Sequence, residues 1–546
     1  MPCSALSFNF MIKKYFLILF LLFSCRLLAQ PTLSLDWMKT ESISKGQFIK
    51  HDSQGNIIAS GRKFANVGSK IKVIKYDSTG LIIWNKTLSD PFVAGGAVYT
   101  NAMVLDTFDN IYIAGVAHAE TFNPQLGPEP FLLKYNSQGT LLWFNLYGHT
   151  VGLEGEVNSM EIYHNKYLLL AGKMDSLPGS SSKSFLAQYD SSGSLNWTYL
   201  DTNSYETFSP DIVVDKIGNS YLCGVTACCL PGYDMYVTKV DLAGNKKWSN
   251  LLSDTAYNFG YTYAGAIDDS ANVYLTGTIQ KNYNNTGHDC GVAKMDSAGN
   301  KKWFYGYTRS IITTEWETPK DIFIDKKFNV YSFGIVQDFT SANNADGFII
   351  STNLQGVKNW DYILSGPSNL EDAITCGLVS KNGQAIFAGG ENFNNNIYGP
   401  VILAFDSSGS IECFYNDSSF CGPNDIVEIY SSFYLTGSRK DPSGVLVDSL
   451  YSGRYNYSLS NGFTKIKNIE FKSLIFPNPF QDNFNVKMPK GTLPLKFIIR
   501  NSYGEILHSN CCTLQNINSA SWQPGVYIAE FIWTDKIERV KLIKTN

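Results

Sequence analysis

The chain has 546 residues, of which 17% are charged and 14% are aromatic, and its formal net charge is −4. This length exceeds the size at which a single hydrophobic core keeps growing, and the aromatic-rich composition favours β-structure, so several domains or an array of repeated units are expected. Residues 1–29 carry +3 and residues 471–546 carry +4, which leaves −11 for the residues between them. An acidic body without a basic stripe argues against nucleic-acid binding, because phosphate backbones require clustered Lys and Arg.

The N-terminus has the plan of an export signal. Lys13 and Lys14 precede an apolar run at residues 15–23, and a small-residue end follows at Ala29. This order predicts a signal peptide over residues 1–29, with Met11 as an alternative start. A lipoprotein box at residues 22–25 is a second interpretation, disfavoured because Phe23 is poorly suited beside the cysteine. No stretch after residue 29 approaches the 18 apolar residues of a membrane span.

A phrase consisting of an apolar run, an Asx-x-x-Gly turn and a tryptophan four positions after the glycine recurs about every 50 residues. Six copies end at Trp84, Trp143, Trp197, Trp248, Trp303 and Trp360, and a seventh copy ends at Cys413 instead. A second phrase, a polar turn followed by a β-run, has eight copies that end at Gly61, Gly115, Gly172, Gly224, Gly277, Gly334, Gly389 and Gly437. Four antiparallel strands per unit are typical of a propeller blade.

The unequal copy numbers bear on the number of blades. Residues 33–40 contain Trp37 and resemble the fourth strand of the other units. We therefore expect this strand to complete the last blade, whose first three strands are expected near residues 425–448. The result would be a closed, eight-bladed propeller over residues 30–458. Seven blades are the alternative. The tryptophans are expected to pack between blades as core residues rather than to bind a ligand.

Strand direction sorts the connections into two groups. The Asp-Ser-x-Gly and Gly-Asn turns lie at one end of the ring and are interpreted as turn chemistry, because they lack the alternating oxygens of a calcium loop. Long, irregular connections lie at the other end, where either solvated loops or a binding surface for glycan or protein is expected. They cover residues 118–130, 173–184, 226–236, 280–290 and 391–399.

Acidic residues precede several of the inner strands on the long-loop side. They are Glu154, Glu156, Glu206, Asp211, Glu315, Glu317, Asp321, Glu371 and Asp372. The channel-mouth candidates among them are Glu156, Glu206, Glu315, Glu317 and Glu371. A solvated rim is favoured, a bound cation is the alternative, and no cofactor is evident. The six histidines are scattered and no HExxH, G-x-S-x-G or P-loop is present, so catalysis is unsupported and no catalytic residue or metal ligand is assigned.

Nine cysteines follow residue 29, too few for a disulfide scaffold in a chain of this size. Cys413 and Cys421 are close enough in sequence to form a disulfide, and a bonded and a free pair are both compatible with the spacing. Cys228 and Cys229 lack further ligands at metal-binding spacing and are interpreted as structural.

After a polar linker at residues 459–470, the repeat gives way to a different module over residues 471–546. Its pattern predicts a small antiparallel β-sandwich of about seven strands, with prolines placed before the first strand and at a tight turn. The order Pro-Asn-Pro, strand, Asn-Ser-Tyr-Gly, Pro-Gly-Val-Tyr and a Lys-containing last strand resembles the type A C-terminal sorting domain of type IX secretion substrates. The matching positions are Pro477, Asn478, Pro479, Gly504, Gly525, Tyr527, Lys541 and Lys544.

This resemblance implies passage through the Sec translocon of a Gram-negative bacterium, recognition by the type IX outer-membrane translocon and sorting machinery, and release or anchoring at the cell surface. The propeller resembles bacterial surface β-propeller repeats more loosely. The leading hypothesis is a secreted or surface-attached binding or adhesion module. One alternative is an extracellular polysaccharide hydrolase or lyase with its site at the channel mouth. A scaffold that binds a partner subunit of a surface machine is a third possibility.

Overall fold

The computed structural model describes most of the chain in two compact units, residues 1–463 and 464–546. The described residues are 32–42, 44–65, 68–90, 96–117, 127–147, 154–175, 182–201, 206–229, 232–252, 259–280, 287–308, 315–338, 344–365, 372–394, 397–416, 422–439, 449–458, 474–476, 481, 483–487, 496–501, 506–510, 517–532 and 537–545. Their regular elements are all β-strands, and they include no helix long and apolar enough to cross a membrane. The predicted signal peptide lies outside the described residues.

The first unit consists of eight four-stranded antiparallel sheets. The first strand of the chain, β1 (Thr32–Glu41), belongs to the last of these sheets. Sheet 1 contains β2 (Ser44–His51), β3 (Ile57–Phe64), β4 (Ser69–Tyr76) and β5 (Ile82–Leu88). Sheet 2 contains β6 (Tyr99–Leu105), β7 (Ile111–Ala117), β8 (Glu129–Tyr135) and β9 (Leu141–Leu146). Sheet 3 contains β10 (Glu154–Tyr163), β11 (Tyr167–Asp175), β12 (Ser182–Asp190) and β13 (Leu195–Leu200). Sheet 4 contains β14 (Thr207–Val214), β15 (Ser220–Cys229), β16 (Gly232–Val240) and β17 (Lys246–Leu251).

The remaining four sheets continue the same order along the chain. Sheet 5 contains β18 (Phe259–Ile267), β19 (Val273–Gln280), β20 (Asp289–Met295) and β21 (Lys301–Tyr307). Sheet 6 contains β22 (Glu315–Ile324), β23 (Asn329–Asp338), β24 (Asn344–Asn353) and β25 (Lys358–Leu364). Sheet 7 contains β26 (Ala373–Val379), β27 (Ala385–Asn394), β28 (Ile397–Phe405) and β29 (Ile411–Asn416). Sheet 8 contains β30 (Pro423–Ile429), β31 (Ser432–Arg439), β32 (Ser449–Ser458) and β1.

The sheets are arranged in a closed ring. The first strand of each sheet contacts the first strand of the next, from β2 around to β30, and β30 contacts β2 again. The first strands are therefore innermost, and the arrangement is consistent with a β-propeller. The middle strands are the most apolar: all seven residues of both β7 and β8 are buried. The hydrophobic core consequently lies between successive sheets rather than at the ring centre.

Sheet 8 combines the two ends of the repeat region. β1 pairs antiparallel with β32, from Thr32 opposite Ser458 to Glu41 opposite Leu450. Trp37 thus occupies the outer strand of sheet 8. The third strand of this sheet falls later than residues 425–448, where the sequence interpretation placed it. The reason is the apolar run of β32, in which Leu450, Tyr451 and Tyr455 are fully buried.

The repeated tryptophan and the repeated glycine meet between neighbouring sheets. The glycine of the turn between the third and fourth strands of one sheet lies against the tryptophan ring of the preceding sheet. This holds for Gly80 on Trp37, Gly139 on Trp84, Gly193 on Trp143, Gly244 on Trp197, Gly299 on Trp248, Gly356 on Trp303 and Gly409 on Trp360. All seven tryptophans are half-buried rather than fully buried. At half burial each ring contributes on the order of 2 kcal/mol.

Polar bonds reinforce several of these contacts. Trp84 Nε1 and Lys75 Nζ both donate to the carbonyl oxygen of Ser137, each at 3.1 Å. At the closure of the ring, Trp37 Nε1 and Arg454 Nη1 donate in the same way to Ser78 O, each at 3.0 Å. The joint formed by the N-terminal strand therefore uses the same chemistry as the other joints.

Cys413 takes the tryptophan position in sheet 7, and the structure explains why. The neighbouring sheet 8 has no turn between its third and fourth strands, because these strands are β32 and the N-terminal β1. No glycine is available to cover a tryptophan ring, and Leu33 and Leu35 of β1 pack there with Cys413 and Tyr455. Cys413 is a free, buried thiol, and Cys421 lies outside the described residues.

The aspartates of the short turns are engaged by their own segments. Asp106 accepts the backbone N–H groups of Phe108 and Asn110 at 2.9 Å, the side chain of Asn110 at 2.8 Å and the hydroxyl of Tyr112 at 3.0 Å. Equivalent bonds surround Asp215, Asp268 and Asp325. In the second type of turn, Asp77 accepts from Thr79 and Leu81. These carboxylates act as turn and cross-strand acceptors.

The described residues of the second unit form seven strands in two antiparallel sheets. One sheet has the order β33 (Leu474–Phe476), β34 (Asn483–Lys487) and β37 (Ile517–Asn518). The other has the order β36 (Ile506–Asn510), β35 (Lys496–Asn501), β38 (Gly525–Ile532) and β39 (Ile537–Lys544). The buried residues of the four-stranded sheet include Phe497, Ile499, Ala529 and Leu542.

The glycine–tryptophan contact predicts a graded response to alanine. Gly244 has a φ of +87°, and a Cβ atom added there would lie 2.8 Å from Cδ2 of Trp197. Gly383 has a φ of +80°, but an added Cβ would meet nothing within 4 Å. We expect Gly383→Ala to cost about 1 kcal/mol through the left-handed backbone alone and Gly244→Ala to cost about 2–4 kcal/mol. Urea unfolding followed by tryptophan fluorescence measures both; equal losses would contradict a packing role for the contact.

Candidate functional site

Strand direction gives the ring two chemically different ends. The turns between the first and second strands and between the third and fourth strands lie at one end, the short-turn end. The connections between the second and third strands, and those between successive sheets, lie at the other end, the long-loop end. Most of the long connections include residues outside the described part of the chain. The described strand ends that frame them nevertheless define one arc of this end in detail.

Tyrosines and glutamates from three successive sheets come together at the long-loop end. The rings of Tyr233 and Tyr261 are 6.2 Å apart between centroids, and those of Tyr261 and Tyr263 are 5.3 Å apart. Burial raises the pKa of Tyr261 to about 12, assisted by the two neighbouring tyrosines and by the negative charges of Glu206 and Glu156. Two of the predicted channel-mouth acids thus lie near one tyrosine hydroxyl. We call Glu156, Glu206, Tyr233, Tyr261 and Tyr263 the tyrosine cluster.

The members of the tyrosine cluster are only half-buried. Glu156 also lies 3.6 Å from Lys173 Nζ, between exposed parts of both side chains. The cluster therefore offers aromatic rings and carboxylate oxygens to solvent at the start of β10, β14, β16 and β18. This combination can stack against a flat apolar surface and accept hydrogen bonds from it at the same time.

The other predicted acids have different locations. Glu317 is 1% exposed, and its charge contributes to the raised pKa of the buried Cys290 thiol, which burial dominates. Glu315 is half-buried at the start of β22, and Glu371 lies outside the described residues. Between Glu315 and Glu317, Trp316 stacks on His288 with ring centroids 4.1 Å apart and planes at 6°. Burial lowers the pKa of His288, with Asp289 opposing the shift.

The inner strands share a bulge that the sequence interpretation missed. In each sheet the pairing register between the first and second strands shifts once. The shift leaves one residue of the first strand unpaired, or two residues in sheet 4. Several of these residues reach the next sheet. Asn101 Nδ2 donates to Val157 O at 2.8 Å, Asn158 Nδ2 to Ser209 O at 3.3 Å, and Asn424 Nδ2 to Gly46 O at 2.6 Å. Bulges of this kind re-aim side chains, here into bonds around the ring.

An aspartate follows the bulge in sheets 4, 6 and 8. Asp211 accepts the hydroxyl of Ser159 at 2.7 Å from sheet 3 and the backbone N–H of Gly265 at 2.9 Å from sheet 5. Asp425 accepts the backbone N–H of Ile49 at 2.8 Å from sheet 1. These carboxylates therefore join neighbouring sheets, including the closure between sheets 8 and 1. The signal in the sequence is the Asp-Ile pair at equivalent positions of the three repeats.

The carboxylates of the inner strands also influence one another. Burial raises the pKa of Asp321 to about 7, with the negative charges of Asp211 and Asp425 adding to the shift and Lys50 opposing it. Glu161 has an exposed side chain, and desolvation inside the ring together with the charge of Asp211 raises its pKa, again opposed by Lys50. Lys50 Nζ lies 3.8 Å from Asp425 Oδ2. Acidic side chains therefore do converge on the ring interior, with a single lysine among this set.

The convergence does not amount to a metal centre. In the part of the chain that the structure describes, no three His, Cys, Asp or Glu side chains are placed to hold a metal ion together. The acidic side chains instead shift one another's pKa values through their charges and accept hydrogen bonds from backbone amides. Their arrangement is electrostatic and structural, and the tyrosine cluster remains the better placed group for a ligand.

In the second unit, two sorting-motif residues have defined side-chain partners. Tyr527 is buried and its hydroxyl donates to Gln523 O, with its ring 5.1 Å from that of Trp522. Lys544 is 7% exposed and its Nζ donates to Ser519 O at 2.6 Å. Gly525 begins β38 opposite Lys544, and Lys541 pairs with Ile528. Pro477, Asn478, Pro479 and Gly504 lie outside the described residues.

Comparison with known proteins identifies the second unit. Residues 474–545 match the family described as the secretion system C-terminal sorting domain. This confirms the resemblance drawn from the sequence and indicates that the chain passes through the type IX secretion system and is secreted or displayed at the cell surface. No curated protein matches the chain significantly.

Solved structures give only distant similarities. PorZ, a surface component of the type IX secretion system of Porphyromonas gingivalis, is 9% identical with a TM-score of 0.28, covering 94% of this chain and 93% of that one. Polysaccharide lyase Uly1 is 10% identical with a TM-score of 0.42, covering 75% and 90%. The β-propeller domain of the Trilobed protease from Pyrococcus furiosus is 9% identical with a TM-score of 0.39, covering 70% and 98%. These scores are all below 0.5, so the arrangement of sheets rests on the strand pairing itself.

The inner carboxylates predict a pH-dependent effect of Asp321→Asn. The pKa of the Asp321 carboxyl is about 7 in the folded chain, whereas an unfolded aspartate has a pKa of about 4. The folded chain therefore holds this proton more tightly, which stabilises the fold. This contribution is complete below about pH 4 and is lost as the pH rises through 7. Asn cannot ionise, so the melting temperature of the variant relative to the native chain should rise between pH 4.5 and pH 8.

Asp77→Asn serves as the control. Its carboxyl has a lowered pKa, chiefly through the hydrogen bond from Thr79, and Asn occupies the equivalent turn position at Asn136. Its relative melting temperature should therefore not rise with pH. A constant difference for Asp321→Asn across this range would show that the inner carboxylate is not held protonated.

Proposed function

We propose that the chain is an eight-bladed propeller, exported by the type IX route, that acts as a binding module with its ligand site at the long-loop end. The observation that supports this proposal is the tyrosine cluster, in which three rings and two carboxylates from sheets 3, 4 and 5 stand half-exposed beside the ring opening. Rings with polar tips are enriched where proteins bind partners, because they combine apolar area with hydrogen bonding.

The chemistry of the cluster favours a carbohydrate without acidic groups. Sugar rings present flat C–H faces that stack on tyrosine, and their hydroxyl groups donate to carboxylates such as Glu156 and Glu206. The same two carboxylates, in a body of net charge −11, disfavour uronic or sulfated glycans. We therefore propose neutral or amine-bearing glycans as ligands, and adhesion to a glycan-coated surface as the role of the module.

The remaining steps of export belong to the same proposal. Residues 1–29 direct the chain through the Sec translocon and are removed, residues 30–458 form the propeller, residues 459–470 link it to the sorting domain, and residues 471–546 engage the type IX translocon and sorting machinery of a Gram-negative cell envelope. A β-sandwich is the proposed form of the sorting domain, because its two antiparallel sheets have apolar buried residues.

A matched pair of tyrosines tests the ligand site. Tyr261 and Tyr99 occupy equivalent positions two residues before the bulge of β18 and β6. Tyr99 is covered by Arg62, whose guanidinium carbon lies 3.9 Å from the ring centroid and whose Nη2 donates to the hydroxyl at 2.9 Å. We expect Tyr261→Ala to weaken glycan binding by about tenfold or more and Tyr99→Ala to leave it unchanged.

The measurement is a titration of the secreted protein against neutral, amine-bearing and anionic glycans on an array, followed by calorimetry. Cleavage of the glycans is followed in parallel. If the native protein cleaves a glycan and Glu156→Gln or Glu206→Gln abolishes the cleavage, the hydrolase or lyase hypothesis replaces the binding-module hypothesis. Equal effects of the two tyrosine variants, or binding restricted to anionic glycans, would contradict the proposed site.

Export has an independent test. Deleting residues 471–546 should abolish delivery to the medium or surface and leave the chain in the periplasm, because the sorting domain is what the type IX translocon recognises. A deletion of comparable length that removes sheets 4 and 5 controls for misfolding, since it retains the sorting domain and should still leave the cell if folding permits. Undiminished delivery without residues 471–546 would refute the assignment of the sorting signal.

A further inference from the structure

A second aromatic contact lies beside the tyrosine cluster at the long-loop end. Trp316 of β22 stacks on His288 with ring centroids 4.1 Å apart and planes at 6°. Trp316 is 36% exposed, whereas every other tryptophan side chain that the structure describes is half-buried. We call Trp316 and His288 the tryptophan stack. It presents a flat aromatic surface to solvent at the boundary between sheets 5 and 6.

The tryptophan stack repeats a contact of the tyrosine cluster one sheet further around the ring. Tyr233 of sheet 4 and His288 of sheet 5 both lie three residues before the residue that pairs with the repeated glycine of the second strand, and an aspartate follows each of them. Each ring contacts an aromatic residue on the inner strand of the next sheet, which is Tyr261 for Tyr233 and Trp316 for His288.

Folding does not require an aromatic residue at this position. The backbone makes the joint between the sheets, since the N–H of Glu317 donates to His288 O at 2.8 Å. The equivalent bond forms where the position holds a serine, a proline or an alanine. These bonds run from Val98 N to Ser69 O, from Gly155 N to Pro128 O and from Asp372 N to Ala345 O. The aromatic pairs are therefore additional to what joins the sheets.

The tryptophan stack is held in a fixed orientation. The backbone N–H of His288 donates to Glu315 O at 3.0 Å, and with the bond from Glu317 it forms a parallel bridge around Trp316. Burial lowers the pKa of His288, with Asp289 opposing the shift, so the imidazole is neutral at neutral pH. Two rings that are already stacked lose little conformational entropy when a ligand covers the indole.

The tryptophan stack and the tyrosine cluster are far enough apart to contact different parts of one ligand. Trp316 lies four residues before the bulge of β22, and Tyr261 lies two residues before the bulge of β18. Trp316 is therefore about 7 Å nearer the long-loop end along the strand direction, and packed sheets are about 10 Å apart. This separation exceeds the width of one sugar ring.

From this arrangement we infer that the tryptophan stack is a second glycan subsite, and that the ligand is a glycan chain lying across sheets 4 to 6. The inference rests on the proposed glycan-binding function. An indole offers a larger flat face than a phenol ring for stacking on the C–H face of a sugar. Glu315 and Asp289 adjoin the stack in the chain, so this subsite, like the tyrosine cluster, favours neutral or amine-bearing sugars. A single terminal sugar would occupy only one subsite.

The test uses the full secreted protein in calorimetric titrations with cello-oligosaccharides and chitosan oligosaccharides of one to six units. Affinity should rise about tenfold or more once a chain reaches both subsites. Trp316→Ala should remove this rise and leave the binding of shorter chains unchanged. Tyr261→Ala should weaken the binding of the shorter chains as well.

Two variants serve as controls. His288→Phe retains a ring beneath Trp316 and should keep the dependence on chain length. Tyr430→Ala removes an aromatic residue that is 78% exposed in the turn between β30 and β31 at the short-turn end, and it should change binding at no chain length. The melting temperature of Trp316→Ala should match that of the native protein, because backbone bonds make the joint.

The outcomes separate the second subsite from the proposed function. If Trp316→Ala keeps the full rise with chain length while Tyr261→Ala weakens binding, the second subsite is refuted and the binding function stands. An equal loss for chains of every length in Trp316→Ala also refutes it, because that result indicates a single site. If the native protein binds none of these oligosaccharides, the inference and the proposed ligand class fail together.

Discussion

The ring depends on one repeated contact, the tryptophan of each outer strand against the turn glycine of the next sheet. A glycine is required because the backbone adopts a left-handed conformation and because a Cβ atom would overlap the indole ring. The contact joins the outer parts of successive sheets. At the closure the N-terminal strand supplies Trp37, so the ring is completed by the first strand of the chain. Where sheet 8 lacks the turn, sheet 7 lacks the tryptophan and has Cys413 instead.

A second layer of bonds works closer to the axis. The bulges of several inner strands aim a polar side chain at the neighbouring sheet, and Asp211 and Asp425 accept backbone N–H groups from neighbouring sheets. Desolvation inside the ring, with a smaller contribution from the negative charge of Asp211, raises the pKa of Asp321 to about 7 and raises that of Glu161 as well. The ring interior is thus built for cohesion between sheets.

The repeat made most of the fold predictable from the sequence. The eight copies of the second phrase, together with the strand around Trp37, predict the eight sheets of the first unit. The third strand of sheet 8 was placed too early, because its Tyr-rich run departs from the repeated phrase. The bulges were not predicted, since a register shift has no composition signal. At the candidate site, sequence position found Glu156 and Glu206 but not Tyr233, Tyr261 and Tyr263, because only strand pairing brings residues from three repeats together.

In the proposed function, the long-loop end binds the glycan and the rest of the ring holds that end in place. Hydrogen–deuterium exchange of the secreted protein, with and without a glycan that it binds, tests this division most directly. The account predicts slower exchange on binding at the start of β18, in the peptide that contains Tyr261 and Tyr263, and unchanged exchange in the Asp-Ser-x-Gly turns. Protection confined to those turns, or spread evenly over all eight sheets, would contradict it.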